Sequence, residues 1–461
     1  MNRFQHFVWL LLVTVALDAC NSSSNSSTPS AALASTTQLA VVAPQAPVVP
    51  APVFQMTAVA LVGRQLFFDK SLSASGTQAC ATCHDPDHAY GPPNGLAVQL
   101  GGPNGKALGT RAVPSLRYTE YTPAYADLLD NADGIAEPAP GGGYTWDGRV
   151  DSLGEQAKIP LLSALEMANK SAAEVLVKVR AASYAPAFLQ AFGAHALDNA
   201  EAALAKVQLA LQSFQTEDAS FHPYSSKFDR HETNQPGGSF TRAEERGYKV
   251  FNDPEIGNCA SCHFPNPGAS GSRTLFTDFS FEAIGVPRNP DIPANRERSY
   301  VDLGICGPLR KDHAYVPGRP NAFCGMFKTP TLRNITTRHS FFHNGVLHSL
   351  EQVVRFYNTR DSRPELWYPT VGGSPKAKPD PDFPRFGLIT TQYLGGTVQK
   401  FDDLPAPLRT NIDRQMPLDG RAAGSPDPMT EEQIADLLCF LDTLTDDYEP
   451  GRTPTQPHCQ D

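Results

Sequence analysis

Two pentapeptides constrain this chain more than any other feature of its sequence. Residues 80–84 read CATCH and residues 259–263 read CASCH. C-x-x-C-H is the attachment signature of c-type haem, in which the two thiols form thioethers and the adjacent His ligates the iron. A lone C-x-x-C also binds zinc or cycles as a dithiol, but two copies, each followed by His, favour haem. We therefore predict two covalently bound c-type haems, attached through Cys80, Cys83, Cys259 and Cys262, with His84 and His263 as proximal iron ligands.

The region before each pentapeptide is loosely repeated along the chain. Residues 63–69 read GRQLFFD ahead of the first copy, and residues 247–253 read GYKVFND ahead of the second. Recurrence of a helix-like segment, a short loop and the same motif indicates a duplicated domain. We predict a mainly α-helical protein of two cytochrome c-like haem domains, with the haems near the domain interface. The polar stretch 217–239 supplies the boundary, so the domains comprise residues 55–238 and 239–461.

Capping boxes and apolar stripes predict the helices that flank these motifs. Capping boxes, in which paired side chains satisfy free backbone amides, begin at Ser171, Thr241 and Thr430. Apolar residues at helical spacing form two stripes, made of Leu204, Val207, Leu211 and Phe214 and of Ile434, Leu437, Leu438 and Leu441. Elsewhere the 35 Gly and 41 Pro predict long irregular loops, such as 131–144 and 370–428.

The N-terminus has the layout of an export signal. Residues 1–20 combine one basic residue, a short apolar run and small residues before Cys20, as secretory signal peptides do. The sequence LDAC also resembles a lipoprotein cleavage box, so two interpretations stay open: lipidation of Cys20, or cleavage nearby that discards it. Residues 21–54 have the nearly uncharged composition of a flexible linker. We predict a periplasmic protein, either free or lipid-anchored to the outer membrane or cell surface.

The net charge and the remaining cysteines give information about the partners of the protein and its disulfides. The formal net charge of −10 argues against nucleic acid as a partner. Of the nine cysteines, four belong to the pentapeptides and Cys20 to the N-terminal segment. The other four allow three pairings, of which the simplest joins Cys306 to Cys324 and Cys439 to Cys459. Such disulfides suit an oxidising compartment.

Several further segments resemble the bacterial dihaem cytochrome c peroxidases and their relative MauG. The resemblance extends from around residue 58 to residue 446. Its most specific pieces are GRQLFFD at 63–69, WDGR at 146–149, EQA at 155–157, EM at 166–167, KTPTLRN at 328–334 and FHNG at 342–345. The resemblance implies a peroxidase-type haem oxidoreductase with one iron open to hydrogen peroxide.

The resemblance also assigns the catalytic residues. In the family, a Trp between the haems is followed by a Gln ten residues on and a Glu ten further, and this chain has Trp146, Gln156 and Glu166 at those spacings. Glu166 is then the distal acid/base over the first haem, because splitting an O–O bond requires a proton to move from one oxygen to the other. Trp146 is an electron relay by the same resemblance. Without these spacings, Glu166 would be read as a surface carboxylate and Trp146 as a core aromatic.

The family often closes the first iron with a further His until the second haem is reduced. His88 follows His84 by four residues, too near the proximal ligand to reach the opposite face of a haem. We interpret His88 as a structural or surface residue. The first haem is therefore expected to be five-coordinate and open, as in MauG.

The identity of the sixth ligand of the second iron distinguishes the peroxidases of the family from MauG. In the peroxidases, a Met lies fourteen residues after the His of the Phe-His-x-Gly segment, and counting from His343 gives Tyr357, where MauG also has a Tyr. A phenolate is a hard anionic donor and stabilises higher oxidation states, whereas a thioether stabilises Fe(II). The resemblance implies Tyr357 as the ligand, and Met416 is the alternative.

Calcium is the one family cofactor that this sequence puts in doubt. The resemblance places a calcium between the haems, bound by an Asn side chain and two backbone carbonyls. Ala112 stands where the family has Asn, and the carbonyls would be those of Arg338 and Ser340. Backbone and water oxygens alone would have to hold the ion.

Three functions from two classes follow from these features. The first is a MauG-like oxidase, which uses hydrogen peroxide to form a high-valent dihaem state that oxidises a partner protein. The second is a peroxidase that reduces hydrogen peroxide with electrons from a small cytochrome or cupredoxin. The third is an electron-transfer cytochrome with no open iron. The absent closing His and Tyr357 favour the first function, and Glu166 argues against the third.

Overall fold

The computed structural model describes residues 55–129, 139–268, 272–317, 322–454 and 456–461. The predicted signal peptide and linker, with Cys20, lie outside these residues. Within the described ranges, no helix is long and apolar enough to cross a membrane.

The described chain is mainly α-helical, as the sequence predicts. Its helices α1 to α10 are Ala58–Phe68, Cys80–Cys83, Leu153–Leu162, Ala172–Ala181, Ala185–Phe192, Ala200–Glu217, Lys227–Glu232, Arg242–Asn252, Leu350–Thr359 and Glu431–Asp442. Short 3-10 helices cover Lys70–Leu72, Pro86–His88, Ala219–Phe221, Cys259–Ser261, Pro293–Arg296, Ile335–Thr337, Pro364–Leu366, Ala406–Asn411 and Pro457–Gln460.

The β structure within the described ranges is limited to short antiparallel pairs. β1 pairs with β2, β3 with β4, β5 with β6, β7 with β10 and β8 with β9. In chain order these strands are Leu100–Gly101, Ala107–Leu108, Ala126–Leu129, Ala139–Gly141, Phe281–Glu282, Phe327–Lys328, Thr370–Val371, Ser374–Pro375, Tyr393–Leu394 and Thr397–Val398.

The predicted helix starts and disulfides are present. Thr241 and Thr430 form complete capping boxes. Ser171 accepts a hydrogen bond from the Glu174 amide, but the Glu174 carboxylate turns to the amide of Lys170 instead. The predicted disulfides are confirmed, joining Cys306 to Cys324 and Cys439 to Cys459.

Two hydrophobic clusters form the main core. One gathers buried residues between Val62 and Phe221, largely from α1, α3, α4 and α6. The other gathers buried residues between Phe228 and Leu444, including those of α8, α9 and α10. The boundary predicted at 238/239 stays a prediction.

A glycine occupies the same place in both copies of the repeat. A Cβ added at Gly63 would lie 1.8 Å from the carbonyl oxygen of Ala210, where α1 crosses α6. A Cβ added at Gly247 would lie 2.0 Å from the carbonyl oxygen of Asp436, where α8 crosses α10. Because no other residue lets these backbones approach so closely, the glycine that opens GRQLFFD and GYKVFND fixes a helix crossing in each copy.

The repeat extends beyond the pentapeptides into a pair of matching loops. Residues 144–153 and 341–350 both contain an isolated β-bridge, a residue with φ near +65° and a glycine three residues later. The bridges are Tyr144 to Val150 and Phe341 to Leu347. The positive φ values are 70° and 64° at Thr145 and Gly148, and 64° and 63° at Phe342 and Gly345. Each loop then begins a helix at a serine N-cap, Ser152 or Ser349.

The two copies exchange backbone hydrogen bonds with each other. The Lys328 amide donates to the carbonyl of Trp146 at 3.0 Å, and the Ala112 amide donates to the carbonyl of His343 at 2.7 Å. Trp146 and His343 hold equivalent positions in the matching loops. Ala112 and Lys328 likewise hold equivalent positions in residues 111–117 and 327–333, which read RAVPSLR and FKTPTLR. The copies are therefore related by an approximate two-fold arrangement at this contact.

Candidate haem-binding site

The first pentapeptide lies on one wall of a cavity. Cys80, Cys83 and His84 line it together with Gln156 and Glu166, and we call this the first cavity. The cysteines belong to the single-turn helix α2, and the Thr82 hydroxyl accepts a hydrogen bond from the Ala79 amide at the start of that turn. The structure therefore brings the predicted attachment residues of the first copy to one cavity with Gln156 and Glu166, whereas Trp146 lines the other cavity.

The second pentapeptide lines a separate cavity. Cys259, Cys262 and His263 share it with Tyr357 and Met416, and we call this the second cavity. Both candidate ligands for the second iron are thus brought to the same place. The Met416 sulfur lies 3.6 Å from a guanidinium nitrogen of Arg421, which acts as a hydrogen-bond donor to it.

Both histidines of the pentapeptides are oriented in the same way. Nδ1 of His84 lies 3.0 Å from the carbonyl oxygen of Tyr90, and Nδ1 of His263 lies 3.0 Å from that of Phe276. A carbonyl only accepts, so Nδ1 carries the proton in each ring and Nε2 keeps its lone pair. Burial lowers the pKa of each imidazole to about 4, which keeps the rings neutral. A neutral His with its second nitrogen held by a carbonyl is the usual form of an iron ligand.

The four cysteines of the pentapeptides are half-buried and form no disulfide. Burial raises the pKa of Cys80 to about 12 and that of Cys83 to about 11. The pKa of Cys259 is raised in the same way, to about 12. Redox and zinc-binding cysteines depend on a lowered pKa, so this environment suits thioether attachment better than either alternative.

Glu166 lies in the turn that follows α3. Its amide donates to the Ser163 carbonyl, and its own carbonyl accepts from the Gly102 amide. Glu166 lines the first cavity and is an exposed residue. The protein around the cavity desolvates it and raises its pKa above the ordinary value for Glu. A carboxyl with a raised pKa exchanges protons more readily near neutral pH.

Trp146 lies where the two copies of the repeat meet, since its carbonyl accepts from the Lys328 amide. This side chain lines the second cavity, and its Nε1 donates to the Ala112 carbonyl at 2.8 Å. Arg111, which precedes Ala112 in the chain, lines the first cavity. Its guanidinium binds the Asp302 carboxylate through two nitrogens, at 2.7 and 2.8 Å. Asp302 lines the second cavity. The indole and this ion pair thus connect the surroundings of the two pentapeptides.

The residues predicted to surround calcium fit that ion poorly. Ala112 offers no side-chain oxygen, and its carbonyl already accepts from Trp146. The guanidinium of Arg338 donates to the carbonyl of Ser340 at 3.4 Å and to that of Val113 at 3.1 Å. A guanidinium therefore lies beside the Ser340 carbonyl, one of the two carbonyls predicted to bind the ion.

His88 is not among the residues that line either cavity. Its Nδ1 pairs with the Asp85 carboxylate at 3.1 Å. This position agrees with its interpretation as a structural residue.

Both cavities otherwise fit the predicted cofactor. Each has two thiols and an oriented imidazole on one wall, and the second has apolar walls that include Phe251, Ile284 and Leu437. His343 also lines the second cavity, and its Nε2 is buried without a hydrogen-bond partner among the described residues.

Comparisons with known proteins identify the family. A family model described as di-haem cytochrome c peroxidase matches residues 57–236. The methylamine utilization protein MauG of Paracoccus denitrificans is 36% identical over 332 residues, which cover 70% of this chain and 80% of that protein. This chain belongs to the dihaem cytochrome c peroxidase and MauG family. It is accordingly a peroxidase-type haem oxidoreductase that uses peroxide.

Other members of the family are also similar. The diheme peroxidase BthA of Burkholderia thailandensis superposes with a TM-score of 0.71 at 33% identity, covering 88% of this chain and 90% of that one. The cytochrome c551 peroxidase of Nitrosomonas europaea is 28% identical over 295 residues, covering 64% of this chain and 70% of that protein. Membership alone does not separate MauG-like oxidases from peroxidases.

Proposed function

We propose that this dihaem enzyme is a MauG-like oxidase, which uses hydrogen peroxide to oxidise residues of a partner protein. The observation that carries the proposal is the second cavity, where Tyr357 accompanies the pentapeptide while the sulfur of Met416 is engaged by Arg421. A phenolate donor favours the higher oxidation states of iron. The second site is then suited to store an oxidising equivalent.

Each predicted residue has one task in this proposal. Two haems, one in each cytochrome c-like half, supply the redox chemistry when bound at His84 and His263. Glu166 takes a proton from one peroxide oxygen and returns it to the other, and Gln156 lies beside it in the first cavity. Trp146 carries electrons between the two haems, and its indole is held in place by the hydrogen bond to the Ala112 carbonyl.

The alternative is a peroxidase that reduces hydrogen peroxide with electrons from a small cytochrome or cupredoxin. The family includes proteins named as cytochrome c peroxidases, so this function uses the same first cavity. The two functions differ in whether the oxidised enzyme reacts with peroxide directly. A closing ligand on the first iron would prevent that reaction, and His88 does not line the first cavity.

The proposed location follows from residues 1–54. A signal peptide would deliver the enzyme to the periplasm, where its partner protein would also be found. Lipidation at Cys20 would hold it at a membrane surface through the linker. Mass spectrometry of the purified protein from its native host distinguishes a lipidated Cys20 from simple cleavage.

Rapid mixing tests the proposed function. The fully oxidised enzyme is mixed with one equivalent of hydrogen peroxide and its absorption spectrum is followed. We expect an immediate spectral change and a product that retains both oxidising equivalents until a reductant is added. If the spectrum changes only after one haem has been reduced, the peroxidase alternative replaces the MauG-like function.

A further inference from the structure

Tyr125 packs against the segment that contains Trp146. A Cβ added at Gly148, two residues after Trp146, would lie 2.9 Å from a ring carbon of Tyr125. Arg310 joins the same two parts of the structure. Its guanidinium donates to the Asp147 carbonyl at 2.9 Å, and its central carbon lies 3.7 Å from the centre of the Tyr125 ring. Tyr125 is therefore linked to the segment of Trp146 by two separate contacts.

The phenol of Tyr125 has a proton acceptor in place. Its hydroxyl donates to the Asp127 carboxylate at 2.9 Å, and the same carboxylate oxygen lies 2.7 Å from Nε2 of His313. Burial and the bond to Asp127 raise the pKa of the phenol above its ordinary value, so the hydroxyl keeps its proton at neutral pH. A phenol that loses an electron becomes a strong acid, and its proton can then move along this hydrogen bond to the carboxylate.

Exposure distinguishes Tyr125 from other tyrosines with the same chemistry. Tyr118 and Tyr184 also donate to carboxylates, but these residues are only 2% and 6% exposed. Tyr125 is half-buried, and its acceptor Asp127 is exposed. Trp146 itself is buried, so a protein that docks on the outside has no direct contact with the indole. Tyr125 combines a link to the segment of Trp146 with access from solvent.

We propose that Tyr125 is the exit residue through which oxidising equivalents pass from Trp146 to a docked partner protein. An electron moves from Tyr125 to oxidised Trp146 while the phenol proton moves to Asp127, which leaves a neutral tyrosyl radical and a protonated carboxyl. The radical then takes an electron from the partner protein and its proton back from Asp127, which restores both side chains. Each such transfer uses one of the two oxidising equivalents that hydrogen peroxide supplies. This inference rests on the proposed function, because it requires an oxidised enzyme that survives until the partner docks.

Removal of the phenol oxygen tests the exit. Tyr125→Phe keeps the ring but resists oxidation, whereas Tyr125→Trp restores an oxidisable ring. The probe is a basic ferrocytochrome c, because this chain has a formal net charge of −10 and opposite charges speed the encounter of two proteins. The oxidised enzyme is mixed with one equivalent of hydrogen peroxide and then with the cytochrome, whose absorbance reports electron transfer.

The expected results separate delivery from the reaction with peroxide. Tyr125→Phe should react with peroxide as wild type does, but oxidise the cytochrome at least ~10-fold more slowly. Tyr125→Trp should recover most of the rate. Asp127→Asn should also slow oxidation at saturating cytochrome, because an amide does not take up the phenol proton. Tyr393→Phe is the matched control, since Tyr393 is 37% exposed and lines neither cavity.

The outcomes distinguish this inference from the proposed function. Cytochrome oxidation at the wild-type rate in Tyr125→Phe, after a normal reaction with peroxide, overturns the exit and leaves the proposed function standing. Oxidised wild type that does not react with peroxide overturns the proposed function, and the exit with it. Should Tyr125→Phe fail to bind two haems, radical trapping on the wild type decides. The wild type is treated with peroxide and a nitroso spin trap, and mass spectrometry should locate the adduct on Tyr125. Absence of that adduct overturns the exit.

Discussion

At the scale of single residues, Glu166 is the proposed acid/base that moves a proton between the two oxygens of peroxide. Its carboxyl lies in the first cavity with a raised pKa, so it remains protonated to a higher pH than an ordinary Glu. As a base it must be ionised to accept the first proton. We therefore expect the rate of reaction with peroxide to rise with pH through a value above the ordinary pKa of Glu.

Replacing this carboxyl should separate catalysis from folding. We expect Glu166→Gln to slow peroxide-driven oxidation by at least ~100-fold, the scale of a lost general acid/base, with haem content unchanged. Glu201→Gln, at the exposed start of α6, is the control and should behave as wild type. Stopped-flow rates near wild type in Glu166→Gln would remove Glu166 from the mechanism.

The ligand of the second iron is the other question at this scale. Tyr357→Phe removes the phenol oxygen and keeps the ring, so we expect the spectrum of the second haem to change and its midpoint potential to rise. Met416→Leu should leave both unchanged, because its sulfur already accepts from Arg421. The reverse result, measured by electron paramagnetic resonance and redox titration, would assign Met416 as the ligand.

At the scale of helices, the paired glycines set the two crossings. Gly63→Ala and Gly247→Ala each force a methyl group against a backbone carbonyl at 1.8 or 2.0 Å. We expect each change to lower the free energy of unfolding by about 3 kcal/mol, the upper part of the range for overpacking. Gly95→Ala is the control, since its added Cβ would lie 3.8 Å from the nearest side-chain atom. Urea unfolding of the holoenzyme measures all three, and equal midpoints would refute the crossing argument.

Most helix starts and apolar stripes could be predicted from the sequence. The helix crossings could not, because they depend on contacts between residues far apart in the chain. Caps and stripes such as those at Thr241 and Thr430 depend on residues a few positions apart, so a local pattern predicts them. The glycine crossings depend on Ala210 and Asp436, far along the chain. The signal was nevertheless present, because Gly63 and Gly247 open matching segments of the repeat.

At the scale of the whole molecule, two pentapeptides predict two haems. A pyridine haemochrome assay against protein concentration should give two haems per chain. A ratio near one would mean that one cavity is not loaded and would remove the dihaem mechanism. Cys259→Ala with Cys262→Ala should reduce the ratio to one, which identifies the second cavity as the site that was lost.

The sequence also predicted which residues meet in each cavity, although it missed what lies between them. Spacing and resemblance associated Glu166 with the first pentapeptide and Tyr357 with the second, and each lines the cavity of that pentapeptide; their roles stay predictions. The sequence indicates nothing about the contacts of the Arg338 and His343 side chains. Their side-chain directions depend on contacts with Val113 and Phe327 across the two copies, which no local pattern encodes.

The reciprocal hydrogen bonds at Trp146 and His343 have a consequence for electron tunnelling. Each copy fixes the other's loop through one amide, at 3.0 and 2.7 Å, so a slide of one copy past the other would break both bonds together. Tunnelling rates fall steeply with distance, and a contact held from both sides keeps that distance constant through successive turnovers. Under the proposed function, this contact would act as a spacer of set length, so that oxidising equivalents would pass between the two centres at the same rate in every catalytic cycle.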